Sequence, residues 1–329
     1  DKMAVAVRFS PDDGQLENDK PFTEEAREFF DQIAELPDLW DLTASNWDIE
    51  LGTSRFVSEG ANEPYMSYVK EMTTKPLVSV GRFTSPDSMV SQINRGIVDM
   101  IGAARPSIAD PFLPKKIEEG RHEDIRECIG CNICYTGDQL GVPIRCTQNP
   151  TMGEEWRRGW HPENVPEKNS ESSILIIGAG PAGLEAAHAL GKRGYKVILS
   201  EARKELGGRV ILESRLPSLN EWVRVKDYRE QQFLKLPNVE VYLNSNLNAE
   251  DVFLTKADHI VVATGAKWRA DGFGRNNPIG IDNLEASNQI FTPDDIMMGH
   301  IPKGEVVIFD DYYYYMAPVI AEMLQKQGC

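Results

Sequence analysis

Four of the five cysteines fall within nineteen positions, as Cys128-Ile-Gly-Cys131-Asn-Ile-Cys134, then eleven residues, then Cys146. Two-residue spacings let successive thiolates converge on one centre, and a more distant fourth closes it. Disulfide frameworks belong mostly to small secreted chains. In a chain of 329 residues with no visible secretory signal, a tight thiol cluster reads instead as a metal site. Zinc is the rival, but zinc ribbons use two separated cysteine pairs. A continuous C-x2-C-x2-C run with a distant fourth thiol favours a four-iron (4Fe-4S) cluster. Cys329 is the odd one out and reads as an ordinary thiol.

Before this cluster, short apolar runs alternate with amphipathic stretches, the pattern of a parallel α/β fold. Strands are expected at Met3–Arg8, Leu39–Ala44, Pro76–Val80 and Met100–Ala103. Helices are expected at Thr23–Leu36, with Thr23 as cap, and at Tyr65–Met72, Ser85–Arg95 and Pro111–Glu119. In such sheets ligands sit beyond the carboxyl ends of the strands. Arg8, Arg82 and Arg105 occur at or just past three of those ends. Barrels often bind phosphate with the loops after strands seven and eight. If Arg82 and Arg105 do so, these units are strands five to eight of a TIM (β/α)8 barrel, and the chain is an internal piece of a longer protein.

Residues 126–170 have weak periodicity and read as a cluster segment plus linker. Residues 171–300 open as a dinucleotide-binding, Rossmann-like domain. A strand at Ser173–Ile177 runs into Gly178-Ala-Gly180-Pro181-Ala182-Gly183 and a helix. The first glycine makes the turn, the second admits a pyrophosphate, and the third lets helix and strand pack closely. A second strand, Tyr195–Leu199, ends at Glu201, twenty-three residues after Gly178, where a carboxylate can accept hydrogen bonds from ribose. Gly207-Gly208 and Val261-Val-Ala-Thr264-Gly265 extend the fingerprint. These residues admit FAD, NAD or ADP alone. Residues 301–329 read as the start of a second nucleotide-binding-like domain, cut short at the C-terminus. Its strand would be GEVVIFDD and its helix APVIAEMLQKQG.

The formal net charge of −16 argues against nucleic acid and anionic membranes as partners. No apolar run approaches the ~20 residues that a bilayer span requires. The opening, DKMAVAVRFS, reads as a strand and not as a signal peptide, so a cytoplasmic protein is expected.

The stretches WDLTASNWDIELGTSRF, VGRFTSPDSM, IGAARPSIADPFLPKKIEEGR, IRECIGCNIC, CTQNPTMGEEWRRGWHPE, GAGPAGLEAA and VVATGAKW carry a resemblance over essentially the whole chain. It resembles the trimethylamine, dimethylamine and histamine dehydrogenases, iron-sulfur flavoproteins related to dienoyl-CoA reductases and old yellow enzyme. The reductases place three residues between the second and third cysteines; here there are two. The resemblance implies an FMN barrel, a 4Fe-4S loop and an ADP-binding domain, residues 1–125 being the second half of the barrel. It places Arg8 near the flavin pyrimidine, where a cation stabilises the reduced ring, and Gly81, Arg82, Ala104 and Arg105 at the FMN phosphate. Trp47 and Glu50 match the family's pocket tryptophan and acid, with Asp48 the alternative acid. The pocket's second tryptophan is replaced by Asp138, which suits a histamine-like or diamine substrate.

The implied reaction is oxidative deamination, with electrons leaving through the cluster to an electron-transfer flavoprotein-type acceptor and water hydrolysing the imine. Glu127 would lie near that exit. The family's flavin-linked cysteine and its Tyr and His active-site residues belong to the other half, so this piece alone is expected to be inactive. The full-length protein is expected to be a homodimer. The alternatives are an NAD(P)H-dependent dienoyl-CoA or enoate reductase, and a non-catalytic electron-transfer or ADP-binding module.

Overall fold

Parallel strands exist only where a neighbour pairs with them, and pairing sets their lengths here. The first sheet has the order β1 (Ala6–Phe9), β2 (Leu39–Leu42), β3 (Leu77–Ser79) and β4 (Met100–Ile101), all parallel. In this computed structural model residues 3–11, 24–44, 46–284, 287 and 289–329 are described, and the chain divides into two units, Asp1–Asn164 and Val165–Cys329. The first strand is displaced from the expected Met3–Arg8 because its partner begins at Leu39, which pairs with Ala6.

Helices α1 (Glu24–Ile33), α2 (Trp47–Glu50), α3 (Glu63–Met66), α4 (Pro86–Asn94), α5 (Ala104–Ala109) and α6 (Leu113–Glu118) connect and extend the strands. The expected cap Thr23 lies outside the described residues. The expected helix Tyr65–Met72 is instead α3 followed by a 3-10 turn at Val69–Glu71. Helix α5 was not expected, and it contains Pro106. The proline sits in the first turn, where its missing N–H has no intrahelical partner to lose. The core of this unit is Phe30, Trp40, Leu42, Met66, Val69 and Leu77, each fully buried. The Phe30 and Trp40 rings lie 4.8 Å apart, and the Trp40 indole N–H donates to the Ala34 carbonyl at 2.8 Å.

The cysteine segment follows. It contains α7 (Ile133–Gln139) and α8 (Glu155–Arg158). Helix α7 was hidden by Cys, Thr and Gly, all weak helix formers.

In the second unit β5 (Ser173–Ile177) is the central strand, followed by α9 (Pro181–Lys192) and β6 (Lys196–Ser200). Helices α10 (Arg209–Glu213) and α11 (Arg224–Phe233), β7 (Val239–Tyr242), α12 (Ala249–Leu254) and β8 (His259–Val262) complete a parallel sheet of order β7-β6-β5-β8. Strand order reverses at β5, and the crevice at the carboxyl ends of β5 and β8 is where such sheets bind ligands.

GEVVIFDD is not a strand. Among the described residues no chain pairs with it, and Val307 is 91% exposed. Its expected helix does form. After α13 (Pro293–Met297), α14 (Met316–Lys326) packs Val319, Ile320 and Leu324 against Leu216, Leu219 and Ile296. Among the described residues no helix is long and apolar enough to cross a membrane.

Candidate functional site

The cysteine loop is held in place before any ligand is considered. The Cys128 amide donates to the Thr84 hydroxyl at 2.9 Å, Gln148 donates to the Glu127 carbonyl at 3.1 Å, and Asn149 donates to the Ile108 carbonyl at 3.0 Å. Two residues upstream, the Arg126 amide donates at 2.8 Å to Asp110, whose carboxylate also takes the Lys116 ammonium at 2.7 Å. Lys116 and Asp110 are buried together, and Lys116 donates as well to the Asp124 carbonyl at 2.8 Å. Backbone amides point at sulfur: Gly130 at Cys128 (3.4 Å) and Gln148 at Cys146 (3.3 Å). The Thr147 hydroxyl lies 3.2 Å from the Cys131 sulfur.

Cys134 is the second residue of α7, and each of the other three thiols lies within electrostatic reach of Cys131. Among the described residues no three His, Cys, Asp or Glu side chains close tightly enough to grip a single metal ion. Burial pushes the Cys128 thiol up to about 12, and burial also raises Cys134 and Cys146. Thiolates here need positive partners, which metal centres supply. Arg82 and Arg105 stand close enough to Cys128 to favour its charged form.

Facing this loop is the segment from Trp47 to Ser54. Trp47 and Glu50 lie three apart on α2, hence on one face, while Asp48 is exposed. Glu50 is half-buried and accepts a hydrogen bond from the Thr43 hydroxyl. Trp47 packs on Tyr135 of α7 with centroids 6.3 Å apart. Asp138 lies three residues after Tyr135 on that helix and is exposed. Asp138, Tyr135, Trp47 and Glu50 are thus linked through one ring contact.

The arginines do less uniform work than their spacing suggested. Arg8 is paired with Asp41 on the neighbouring strand, Nε to Oδ2 at 2.8 Å, in the register that sets the two residues side by side. Arg82 is buried with φ +54°, a left-handed conformation that costs a non-glycine residue about 1–2 kcal/mol. It donates to the Val57 carbonyl at 2.8 Å. Arg105 donates to the carbonyls of Glu50 (2.9 Å) and Gly52 (3.0 Å) and to the Asn132 side chain (2.6 Å). Burial pulls its ionisation below the usual arginine range, opposed by Cys128, Cys134 and Glu50. Both guanidinium groups therefore face the two loops. Gly81 and Ala104 lie just past the ends of β3 and β4.

In the second unit each fingerprint glycine has a visible reason. Gly178 has φ +98°, and a Cβ there would meet the Ala263 carbonyl at 2.5 Å. A Cβ on Gly183 would come within 1.9 Å of the Gly178 carbonyl, so helix and turn touch. Gly180 has open space where a Cβ would be, at the N-terminus of α9, with Pro181 and Ala182 exposed beside it. Gly208 crosses close to Gly180: its Cβ would lie 2.9 Å from the Gly180 Cα. Glu201 is buried and accepts from the Ala179 amide (2.7 Å) and the Arg203 amide (2.9 Å). A carboxylate accepts about four hydrogen bonds, so capacity remains for ribose. Thr264 and Gly265 follow β8, and the Thr264 Cα borders Gly178.

Sequence reading missed Thr43, whose partner Glu50 is seven residues on, and Asp41, Thr84 and Asn132, short polar residues whose partners lie far along the chain. Asn132 alone carried a signal: it lies between two cysteines and takes φ +57°, a conformation asparagine tolerates.

The chain therefore consists of a parallel half-barrel sheet and a Rossmann-like sheet, with a cysteine segment between them in sequence. Residues 1–124 match the NADH:flavin oxidoreductase / NADH oxidase family, and residues 172–295 match the pyridine nucleotide-disulphide oxidoreductase family. Over all of its length the chain is 40% identical to dimethylamine dehydrogenase of Hyphomicrobium sp. (strain x), covering 46% of that protein. It superposes on histamine dehydrogenase from Rhizobium sp. 4-9 with TM-score 0.93 and 50% identity, over 99% of this chain and 48% of that one. For 6-hydroxypseudooxynicotine amine oxidase from Pseudomonas geniculata N1 the values are 0.94, 53%, 99% and 49%. Dimethylamine and histamine dehydrogenases are thus close homologues of this chain, which carries the two matching domains in the same order. It spans about half the length of these relatives.

Proposed function

We propose that the protein of which this chain is part is an amine dehydrogenase that oxidatively deaminates a histamine-like amine or diamine. The observation that carries this reading is the contact of Trp47 with Tyr135 of the cysteine loop, with Glu50 on the Trp47 face and Asp138 on the Tyr135 face. An indole face attracts an ammonium group. Glu50, oriented by Thr43, supplies a negative charge on the same turn as that indole, and its partner makes it a better pocket acid than the exposed Asp48. Asp138 would accept from a second positive or N–H group of the substrate.

When bound, FMN supplies the two-electron oxidation and a 4Fe-4S cluster a single-electron exit. Cys128, Cys131, Cys134 and Cys146 would hold the cluster, since their burial, their N–H donors and the nearby Arg82 and Arg105 suit an anionic centre. Arg8, oriented by Asp41, would face the flavin pyrimidine. Gly81, Arg82, Ala104 and Arg105 would border its phosphate at the ends of β3 and β4. Gly178, Gly180, Pro181, Ala182, Gly183 and Gly208 would admit a pyrophosphate at the N-terminus of α9, with Glu201 on ribose and Thr264 and Gly265 on the far side. ADP is the proposed ligand and FAD the alternative. The acceptor is of the electron-transfer flavoprotein type, and the full-length protein is a cytoplasmic homodimer. The domain division follows the same reading: barrel half 1–125, cluster segment 126–170, nucleotide domain 171–300 and a further domain beginning at 301.

The test is anaerobic mixing of the full-length protein with histamine, trimethylamine or NADPH. Flavin bleaching by histamine in preference to the others supports the reading. Bleaching by NADPH alone would establish the reductase instead, and no bleaching by any of them a non-catalytic module.

A further inference from the structure

Helix α2 is a single turn, too short to be stable alone. The carbonyls at its end and just past it, from Glu50 to Gly52, are engaged by side chains. Arg105 takes the Glu50 carbonyl at 2.9 Å and the Gly52 carbonyl at 3.0 Å, and the Asn132 side-chain amide donates to the Leu51 carbonyl between them. The Asn132 oxygen in turn accepts from Arg105 at 2.6 Å. Three consecutive carbonyls are thus gripped by one arginine–asparagine pair.

The grip reaches into the cysteine run. Asn132 directly follows Cys131 and lies two residues before Cys134, so metal ligation on either side would fix its backbone. The adjoining residues are stitched to the same segment: the Ser54 amide donates to the Gly130 carbonyl at 2.9 Å and its hydroxyl to the Ile129 carbonyl at 2.7 Å. Gly130 has φ +61°, and a Cβ there would lie 2.8 Å from the Ser54 nitrogen.

We propose that Asn132, acting with Arg105, is a positioning residue that couples the Trp47–Glu50 turn to the cysteine loop, so that seating a cluster on the cysteines orders the amine pocket. The inference rests on the reading of Trp47 and Glu50 as an amine pocket and of the cysteines as a cluster site. Coupling of this kind is reciprocal, so an amine in the pocket also steadies the loop that holds the cluster.

The test is hydrogen exchange over residues 46–57 in the full-length protein, cluster-loaded and after its iron is stripped with chelator. Stripping is expected to speed exchange there roughly tenfold, as expected for losing a charge-assisted hydrogen bond. Asn132→Gly keeps the left-handed backbone while removing the amide. Still iron-loaded, it should exchange like the stripped protein, with a Michaelis constant for histamine raised roughly tenfold and kcat changed less. Should that variant fail to load iron, Asn132→Asp, which still accepts from Arg105 but cannot donate to Leu51, takes its place with the same expectation. Equal exchange in loaded and stripped wild type overturns the coupling, as does an iron-loaded variant matching wild type in both readouts. A wild type that ignores amines or holds no iron would instead remove the underlying reading.

Discussion

The rings of Trp47 and Tyr135 meet with centroids 6.3 Å apart, joining a turn after the second strand to the helix that carries the third cysteine in its first turn. If that contact forms a wall of the pocket, removing the indole should weaken amine binding. In the full-length protein Trp47→Ala should raise the Michaelis constant for histamine roughly 3- to 30-fold, the range of a cation–π contact. Trp47→Phe should recover part of the loss. Steady-state kinetics with both variants decides it.

Asp138 should set substrate preference. Losing a hydrogen bond to a charged group shifts affinity roughly ten- to a hundredfold. Asp138→Asn in the full-length protein should therefore lower kcat/KM for histamine by that much relative to trimethylamine. An unchanged ratio would remove Asp138 from the pocket.

The Lys116–Asp110 pair anchors the segment leading to Cys128. With side-chain exposures of 2% and 1%, neither charge has water to fall back on. Lys116→Met leaves Asp110 buried and uncompensated, and should cost roughly 3–5 kcal/mol of stability. The double variant Lys116→Met/Asp110→Leu should recover part of this, although the Arg126 and Phe112 amides lose their acceptor. Denaturant unfolding of the three proteins measures both.

Burial holds the Glu213 carboxyl above the ordinary carboxylate range, with Arg209 opposing and Asp294 adding to the rise. Glu213 also closes α10, where the helix dipole disfavours an anion. A raised value favours the protonated fold. That contribution is complete below the unfolded value of about 4.3 and is lost as pH rises through the folded value. Glu213→Gln should therefore raise the melting temperature at about pH 7 and leave it nearly unchanged at about pH 4. Thermal unfolding at the two pH values checks the sign.

The framework was readable because it is local. The fingerprint strand Ser173–Ile177 and its glycine turn form as their spacing predicts, since Gly178 and Gly183 answer to backbone atoms one strand over or a few residues away. Trp47 and Glu50 were identified as a pair before their one-turn helix was visible. What escaped notice is non-local. Arg105 was read from its strand-end position, which carries no sign of its hydrogen bonds to carbonyls 53 and 55 residues earlier. The burial of Lys116 has no local signal, since a lone lysine is seldom buried and only its pairing with Asp110 makes burial tolerable. GEVVIFDD has strand composition, but composition cannot provide a neighbour to pair with.

The central claim is that amine oxidation is wired to a cluster on the four cysteines. Full-length protein purified without air, analysed for iron and acid-labile sulfide and then frozen after mixing with histamine, tests it most directly by electron paramagnetic resonance. The account predicts about four irons per chain and a reduced-cluster signal that grows with amine and disappears in Cys146→Ser. Stoichiometric zinc in colourless protein, or an iron centre that amines leave oxidised, would contradict it.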